Sequence, residues 1–451
     1  MNNKNFKTVL ILGFGRFGKL LAEILKPDFD VAVFSHRDVQ AEAATLGVKQ
    51  LPLQEGLRRD AVFFAAPISK FEQALNECLP FLKEARPKLL LDVLSVKTYP
   101  KTVFERFLPP EQEALLTHPM FGPDSVRLNG GLKDLPIMLD KFRASEESYR
   151  FWSEYFRGKG LRVVEMSAEE HDEHAARSQG VAHFIGRVLE DLRYSPTPID
   201  TLGARKLLEV EELARNDAWE LFADLQNMNP YTKAMRVELG GAVERIYNRL
   251  LPNRVDPDTL VVGIQGGRGS FNEQAARYYL ERTGVEQHDI RYLHTTENVL
   301  QALHEGNVDR GQFAIHNSVG GVVGESIEAM ARYKFRIVEE FAIQISHALM
   351  VHPDADLARV DTIMTHPQVL AQCKRTLAEK YPRLRQVSGE GDLIDHALVA
   401  EKLGHGELPK SIATMGSALL AELNNLHIIE DHLEDQKENF TSFLWVERPT
   451  S

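Results

Sequence analysis

Cysteine is scarce in this chain: two in 451 residues, Cys78 and Cys373, far apart in sequence. That excludes a disulfide framework or a cysteine-built metal centre, and both are expected to be small buried hydrophobes in a reducing compartment. Basic charge is also short, with a formal net charge of −12. Nucleic-acid binders and membrane-surface proteins need a basic face, so neither is expected as a partner. An acidic small molecule would have to be met by local Arg and Lys. Long apolar runs are missing too: Met1–Lys7 has no apolar core, and the run that follows is broken by glycine and charge. No secretory or membrane-spanning segment is expected, and the cytoplasm is the default compartment. There is no internal repeat and no low-complexity tract.

What is present is globular: 43% hydrophobic and 26% charged residues, over a length that calls for two or three domains. The apolar run Thr8–Leu12 leads into Gly13-Phe14-Gly15-Arg16-Phe17-Gly18, a helical pattern from Lys19 to Leu25, and Pro27. This is strand, glycine turn, helix. The first glycine permits the tight turn, the second lets the backbone approach a pyrophosphate, and the third lets helix and strand pack closely. The helix N-terminus offers free N–H groups to the phosphates, so residues 13–18 are expected to bind a dinucleotide. A second strand, Val31–Phe34, ends in Ser35-His36-Arg37. A hydroxyl and a guanidinium suit a ribose 2′-phosphate, which favours NADP; the neighbouring Asp38 keeps NAD as the alternative.

Further strands are expected at Ala61–Ala65, Leu89–Val93 and Ala114–Thr117, with helices between them, which makes a largely parallel α/β sheet. Ligands gather at the carboxyl ends of such strands. Two loops leave there and face the nicotinamide region. One carries Ser95, a candidate for both catalysis and cofactor binding. The other is Thr117-His118-Pro119-Met120-Phe121-Gly122-Pro123, in which Pro119 biases His118 away from helical backbone. One imidazole in a rigid loop suits a general base near neutral pH. From 168 to about 251 the pattern is helical and amphipathic, opening with Ser167 and Glu170 in capping-box spacing. His171 and His174 lie three apart without a third ligand at suitable spacing, so they are expected to be polar contacts near the cleft and no metal is expected. Gln179 and His183, one turn apart, share a face.

The segments Asp92–Lys97, Thr117–Pro123, Val164–Ser167 and His171–Gln179 resemble the prephenate and arogenate dehydrogenases of tyrosine synthesis, most closely the plant-type arogenate enzymes, over about the first 240 residues. The resemblance implies a Rossmann-type domain (1–167), an all-helical substrate and dimerisation domain (168–252), and a homodimer. It implies oxidative decarboxylation of prephenate or arogenate. His118 takes the proton of the ring hydroxyl while hydride leaves the same carbon, and loss of carbon dioxide makes the ring aromatic. By the same resemblance Gln179 and His183 line the substrate cleft and Arg205 holds a carboxylate, with Arg177 and Arg215 as alternatives. An unrelated NADP-dependent hydroxyacid or imine reductase fits the loop at His118 poorly.

Pro252–Asp258 reads as a linker. A strand then starts at Thr259, and Ser270 is expected to cap a helix at Asn272–Glu281. The segments Gly266–Phe271, Ala314–Gly321, Ile345–Leu349, His366–Cys373 and Asn439–Leu444 resemble prephenate dehydratase, the enzyme of phenylalanine synthesis. This implies a two-lobed α/β fold like a periplasmic binding protein over 258–451, with Thr441 as acid for the leaving hydroxyl and Asn317 and Ser318 in the cleft. The family's usual C-terminal regulatory module (the ACT domain) is not expected here. Ser442 stands where the family has arginine, His316 where it has glutamate, and Gly389-Glu390-Gly391-Asp392 replaces a Thr/Ser-rich stretch; Arg268 is the cation available to restore the lost charge. Two readings follow. Either the chain is bifunctional, or the second half is a decayed dehydratase serving as a module for tyrosine or phenylalanine as effector.

Overall fold

The structure, a computed structural model, describes residues 6–82, 88–390, 393 and 396–449. Contacts divide the chain into two units, Met1–Ala242 and Val243–Ser451. No helix among the described residues is long and apolar enough to cross a membrane.

In the first unit eight strands are described: β1 (Thr8–Leu12), β2 (Asp30–Phe34), β3 (Lys49–Gln50), β4 (Ala61–Phe64), β5 (Leu89–Asp92), β6 (Glu113–Pro119), β7 (Pro136–Asp140) and β8 (Arg162–Glu165). They form one sheet in the order β3-β2-β1-β4-β5-β6-β7-β8. Every pairing is parallel except β6 with β7. Strands covered on both faces read as continuous apolar runs. Their period of two sends Val9 and Ile11 into one core and Leu10 and Leu12 into the other. The expected strands are present to within a residue or two, with one informative difference. β6 runs on to Pro119, because His118 and Pro119 pair with Met138 and Ile137 of β7. His118 is therefore held in the sheet's end rather than in a loop.

The helical stretch from Ala168 begins with the capping box: Ser167 accepts from the Glu170 amide, and Glu170 returns the bond to the Ser167 amide. The first helix, Ala168–Ala175, passes into a π-type turn, Ala176–Gly180, and on into Val181–Asp191. Three more helices follow, Leu202–Asn216, Trp219–Met228 and Thr232–Leu250.

The second unit has two sheets among the described residues. One holds β9 (Leu260–Gln265), β10 (His288–His294), β11 (Arg310–Asn317), β12 (Gly321–Val322), β13 (Arg336–Gln344) and β19 (Phe440–Glu447), in the order β10-β9-β11-β19-β13 with β12 on β11. The other holds β14 (Ala348–Val351), β15 (Thr362–Met364), β16 (Arg385–Val387), β17 (Ile412–Gly416) and β18 (His427–Glu430), in the order β16-β15-β17-β14-β18. The chain crosses between the lobes before β14 and returns before β19. This is the two-lobed α/β architecture of the periplasmic-binding-protein type. Ser270 caps the helix Phe271–Arg282 by accepting from the Glu273 amide. Cys78 and Cys373 are both buried and free, and burial pushes each thiol up to about 12.

Candidate active site

The carboxyl ends of β1, β2, β5 and β6 open into a cavity of about 1020 Å³. At one end lies the glycine turn. A Cβ on Gly13 (φ +105°) would sit 2.4 Å from the Ala65 carbonyl oxygen, and one on Gly18 would sit 2.2 Å from that of Gly13. These two glycines close the turn against the helix. A Cβ on Gly15 would meet nothing within 4 Å, which leaves open the space a pyrophosphate needs. Gly13, Phe14, Gly15, Arg16 and Phe17 all line the cavity, as do Ser35, His36 and Arg37, while Gly18 packs behind. Asp38 is exposed and does not line it. His36 Nε2 stands 3.2 Å from the Glu77 carboxylate.

Arg16, expected among the dinucleotide-binding residues, lines the cavity and is engaged by protein groups. Its guanidinium bridges Asp124, Asp217 (3.2 Å) and the Asn216 carbonyl (2.7 Å). It thus ties the glycine turn to the helix after His118 and to the end of the helix Leu202–Asn216.

His118 lines the same cavity, 2% exposed. Its Nδ1 lies 2.8 Å from His171 Nε2, and His171 Nδ1 lies 2.9 Å from Asp172 Oδ1. That leaves Nε2 of His118 as the nitrogen open to a ligand. Burial holds the His118 imidazole well below the usual 6.5, helped by the neighbouring His171, Lys97 and His183 charges. Burial also lowers His171, against its hydrogen bond to Asp172, which favours the charged form. Burial alone would raise Asp172, but bonds from His171, Thr98 and the Lys97 amide outweigh it and the carboxyl is lowered. His171 is the member that sequence reasoning missed as a partner of His118. His174, three residues on, is exposed.

Beneath this chain Lys97 and Asp92 form an ion pair with no exposed side-chain surface. Lys97 Nζ also donates to the Thr117 carbonyl at 2.5 Å, directly before His118. Ser95 lines the cavity beside them.

Gln179 and His183 both line the cavity. Gln179 Oε1 is buried with no hydrogen-bond partner among the described residues. His183 Nδ1 is 4.0 Å from Asp217, whose carboxyl is pushed up by burial. Arg205 is not brought to the cavity. The helix Leu202–Asn216 turns Val210, Leu213, Ala214 and Asp217 at its end inward, and Arg205 lies roughly 140° round from Val210, exposed. Arg177 and Arg215 are exposed as well, Arg215 paired with Glu211 at 2.9 Å.

In the second unit, Asn317 Nδ2 donates to Thr441 Oγ1 and Asn439 Oδ1, each at 2.8 Å. Ser318 Oγ donates to the Glu438 carbonyl and accepts from the Phe440 amide. Thr441, Asn317 and Ser318 are thus assembled where β11 meets β19. His316 and Arg268 are exposed. Gly391 and Asp392 lie outside the described residues.

Residues 25–135 match the nucleotide-binding domain of prephenate dehydrogenase, 188–257 the TYRAAT1-like C-terminal domain, and 262–451 prephenate dehydratase. Arogenate dehydrogenase 1, chloroplastic, of Arabidopsis thaliana is 38% identical over 49% of this chain and 35% of its own length. Arogenate dehydrogenase 2, chloroplastic, of the same plant is 35% identical over 54% of this chain and 69% of its own. The bifunctional chorismate mutase/prephenate dehydratase of Escherichia coli (strain K12) is 26% identical over 44% of this chain and 49% of its own. The chain thus spans about a third of the first relative and about half of the third. The match of residues 25–135 to a dehydrogenase nucleotide-binding domain supports a nicotinamide dinucleotide as cofactor. The chain belongs to the arogenate dehydrogenase family, with a prephenate dehydratase domain fused behind it.

Proposed function

We propose that the first unit oxidises and decarboxylates arogenate to tyrosine with NADP. The observation that carries this reading is a buried imidazole with one free nitrogen, set in the same cavity as the glycine turn. His118 Nε2 takes the proton of the ring hydroxyl, and Ser95 helps hold that hydroxyl. The bound nicotinamide supplies the acceptor for the hydride that leaves that carbon. The carboxylate on the ring departs as carbon dioxide, and its bonding pair completes the aromatic sextet. Ser35, His36 and Arg37 suit a 2′-phosphate, and no carboxylate stands free beside them in the lining, since Glu77 is engaged by His36.

Charge supports arogenate over prephenate. The lining carries Asp124, Asp217 and Glu220, and Arg16 is already shared by Asp124 and Asp217. Prephenate is a dianion with a keto side chain. Arogenate carries an ammonium there, which can pair with the half-buried Asp217.

Reduced-cofactor formation with each substrate and each dinucleotide tests this. The expected preference for arogenate is about tenfold or more, one decade per ~1.4 kcal/mol. Asp217→Asn should shrink it, because the variant loses the ammonium's partner and frees Arg16 for an anion. A faster reaction with prephenate sinks the substrate assignment, and NAD used as well as NADP sinks the cofactor assignment.

The second reading, an active dehydratase, is favoured by the Thr441–Asn317–Asn439 cluster. Its support would be phenylpyruvate formed from prephenate without cofactor, above the uncatalysed rate. Our expectation is none, because Ser442 leaves a dianion without the arginine.

A further inference from the structure

We propose that His171 and Asp172 are positioning residues that fix the proton of His118 on Nδ1 and so keep Nε2 a base; this rests on the reading of His118 as the general base.

The hydrogen-bonded chain starts at the carboxylate. Asp172 Oδ1 accepts from the Lys97 amide at 2.8 Å as well as from His171, and Oδ2 accepts from the Thr98 amide at 2.8 Å and the Thr98 hydroxyl at 2.5 Å. Four donors hold the group ionised, so it can only accept. His171 therefore donates through Nδ1. In a neutral imidazole the other nitrogen is then an acceptor, so Nε2 of His171 accepts from Nδ1 of His118. The same rule applied once more leaves a lone pair on His118 Nε2, the nitrogen that faces the cavity. When that lone pair takes the hydroxyl proton, an O–H bond breaks, an N–H bond forms, and the oxygen keeps the electron pair that expels the hydride. The new imidazolium is bonded through His171 to a carboxylate, so its charge is met without a moving solvent shell.

The backbone is arranged to hold this line. The capping box sets the helix start, His171 N bonds the Ser167 carbonyl at 2.9 Å, and Asn229 Nδ2 bonds the Asp172 carbonyl at 2.8 Å. The other charged or titratable groups facing the pair are Lys97 and Asp92 from the end of β5, His183 from the helix Val181–Asp191, and His174 one turn along.

Two variants and one direct measurement test it. His171→Leu removes the acceptor and should lower kcat at least a hundredfold, equally at every pH above the acid limb, with the NADP dissociation constant unchanged. Loss of the correct tautomer in a comparable triad costs about 10⁴. His171→Gln offers a side-chain oxygen to the same Nδ1 proton and should recover at least tenfold of that loss. Glutamine no better than leucine, or an unchanged kcat in His171→Leu, overturns the proposal. Should His171→Leu not fold, ¹⁵N-histidine NMR of the unaltered protein decides: a proton on His118 Nε2 overturns the proposal, and a bare Nε2 with a protonated Nδ1 supports it. A full rate in His118→Asn removes the base itself, whereas a slow His118→Asn beside a normal His171→Leu removes the chain alone.

Discussion

His118→Asn is expected to lower turnover by roughly two to four decades, the usual reach of a general base, while NADP binding is kept. The asparagine amide can still donate to His171 Nε2, so the buried imidazole keeps a partner and the fold should stand. The glycine turn belongs to β1 and the helix after it, and neither touches the substituted side chain's role. The pH profile gives a second, independent handle. Burial holds His118 well below 6.5, so it binds a proton less readily than a free imidazole and remains a base at pH values where a free one is half charged. The acid limb of kcat/KM in the unaltered enzyme should therefore lie below pH 6.5, and it should be missing from the residual rate of the variant. Initial rates with arogenate across pH, beside a fluorescence titration with NADP, measure both. A rate within a few-fold of the parent, or the same acid limb surviving in the variant, takes His118 out of the chemistry.

Much of this site was legible locally and some of it was not, for identifiable reasons. The turn from Gly13 to Gly18 announces itself because each glycine answers a steric demand within a few residues of its neighbours. Ser35-His36-Arg37 reads the same way, since it ends a strand whose place follows from the strand before it. The capping box at Ser167 and the cap at Ser270 are likewise local chemistry. The contact between His118 and His171 spans 53 residues and depends on how a helix is laid against the sheet. Its one local trace is the adjacent pair His171-Asp172, which a metal search passes over. Arg205 fails for a different reason: helical phase is set by where the helix is anchored, and the cavity takes the face that carries Val210 and Asp217. Arg16 shows tertiary charge overriding a motif, because Asp124 and Asp217 reach it from 108 and 201 residues away. In the second unit, Thr441 and Asn317 were readable as surviving members of a pattern, and their 2.8 Å bond follows from β11 and β19 running antiparallel with those two residues in register.

Lys97→Met should cost the first unit roughly 3–5 kcal/mol, the range for breaking a buried ion pair from one side. That is a large part of the ~5–15 kcal/mol that holds a typical domain together. Neither Lys97 nor Asp92 has exposed side-chain surface, so water cannot replace the lost ammonium. What remains to Asp92 is the Leu94 amide at 3.2 Å and the Thr117 amide at 3.3 Å, both long bonds for a carboxylate. The Thr117 carbonyl loses its donor as well. Burial already pushes Asp92 up to about 6, against the pull of Lys97, and removing the lysine removes that pull. A carboxyl whose folded value lies above its unfolded value of 3.8 holds its proton more tightly when folded. The deficit relative to the parent is thus small in acid, where the carboxyl is neutral in both folds, and grows as pH rises past the parent's folded value of about 6. Urea unfolding followed by tryptophan fluorescence should accordingly show a wider gap between parent and variant at pH 8 than at pH 5. The double variant Lys97→Met with Asp92→Leu leaves no stranded charge and should recover much of the loss, since apolar replacements of buried pairs are often neutral. It should still turn over slowly, because the Thr117 carbonyl that Lys97 anchors lies one residue before the imidazole. A loss under about 1 kcal/mol, or a gap that widens toward acid, would mean the pair does not support the carboxyl ends of β5 and β6.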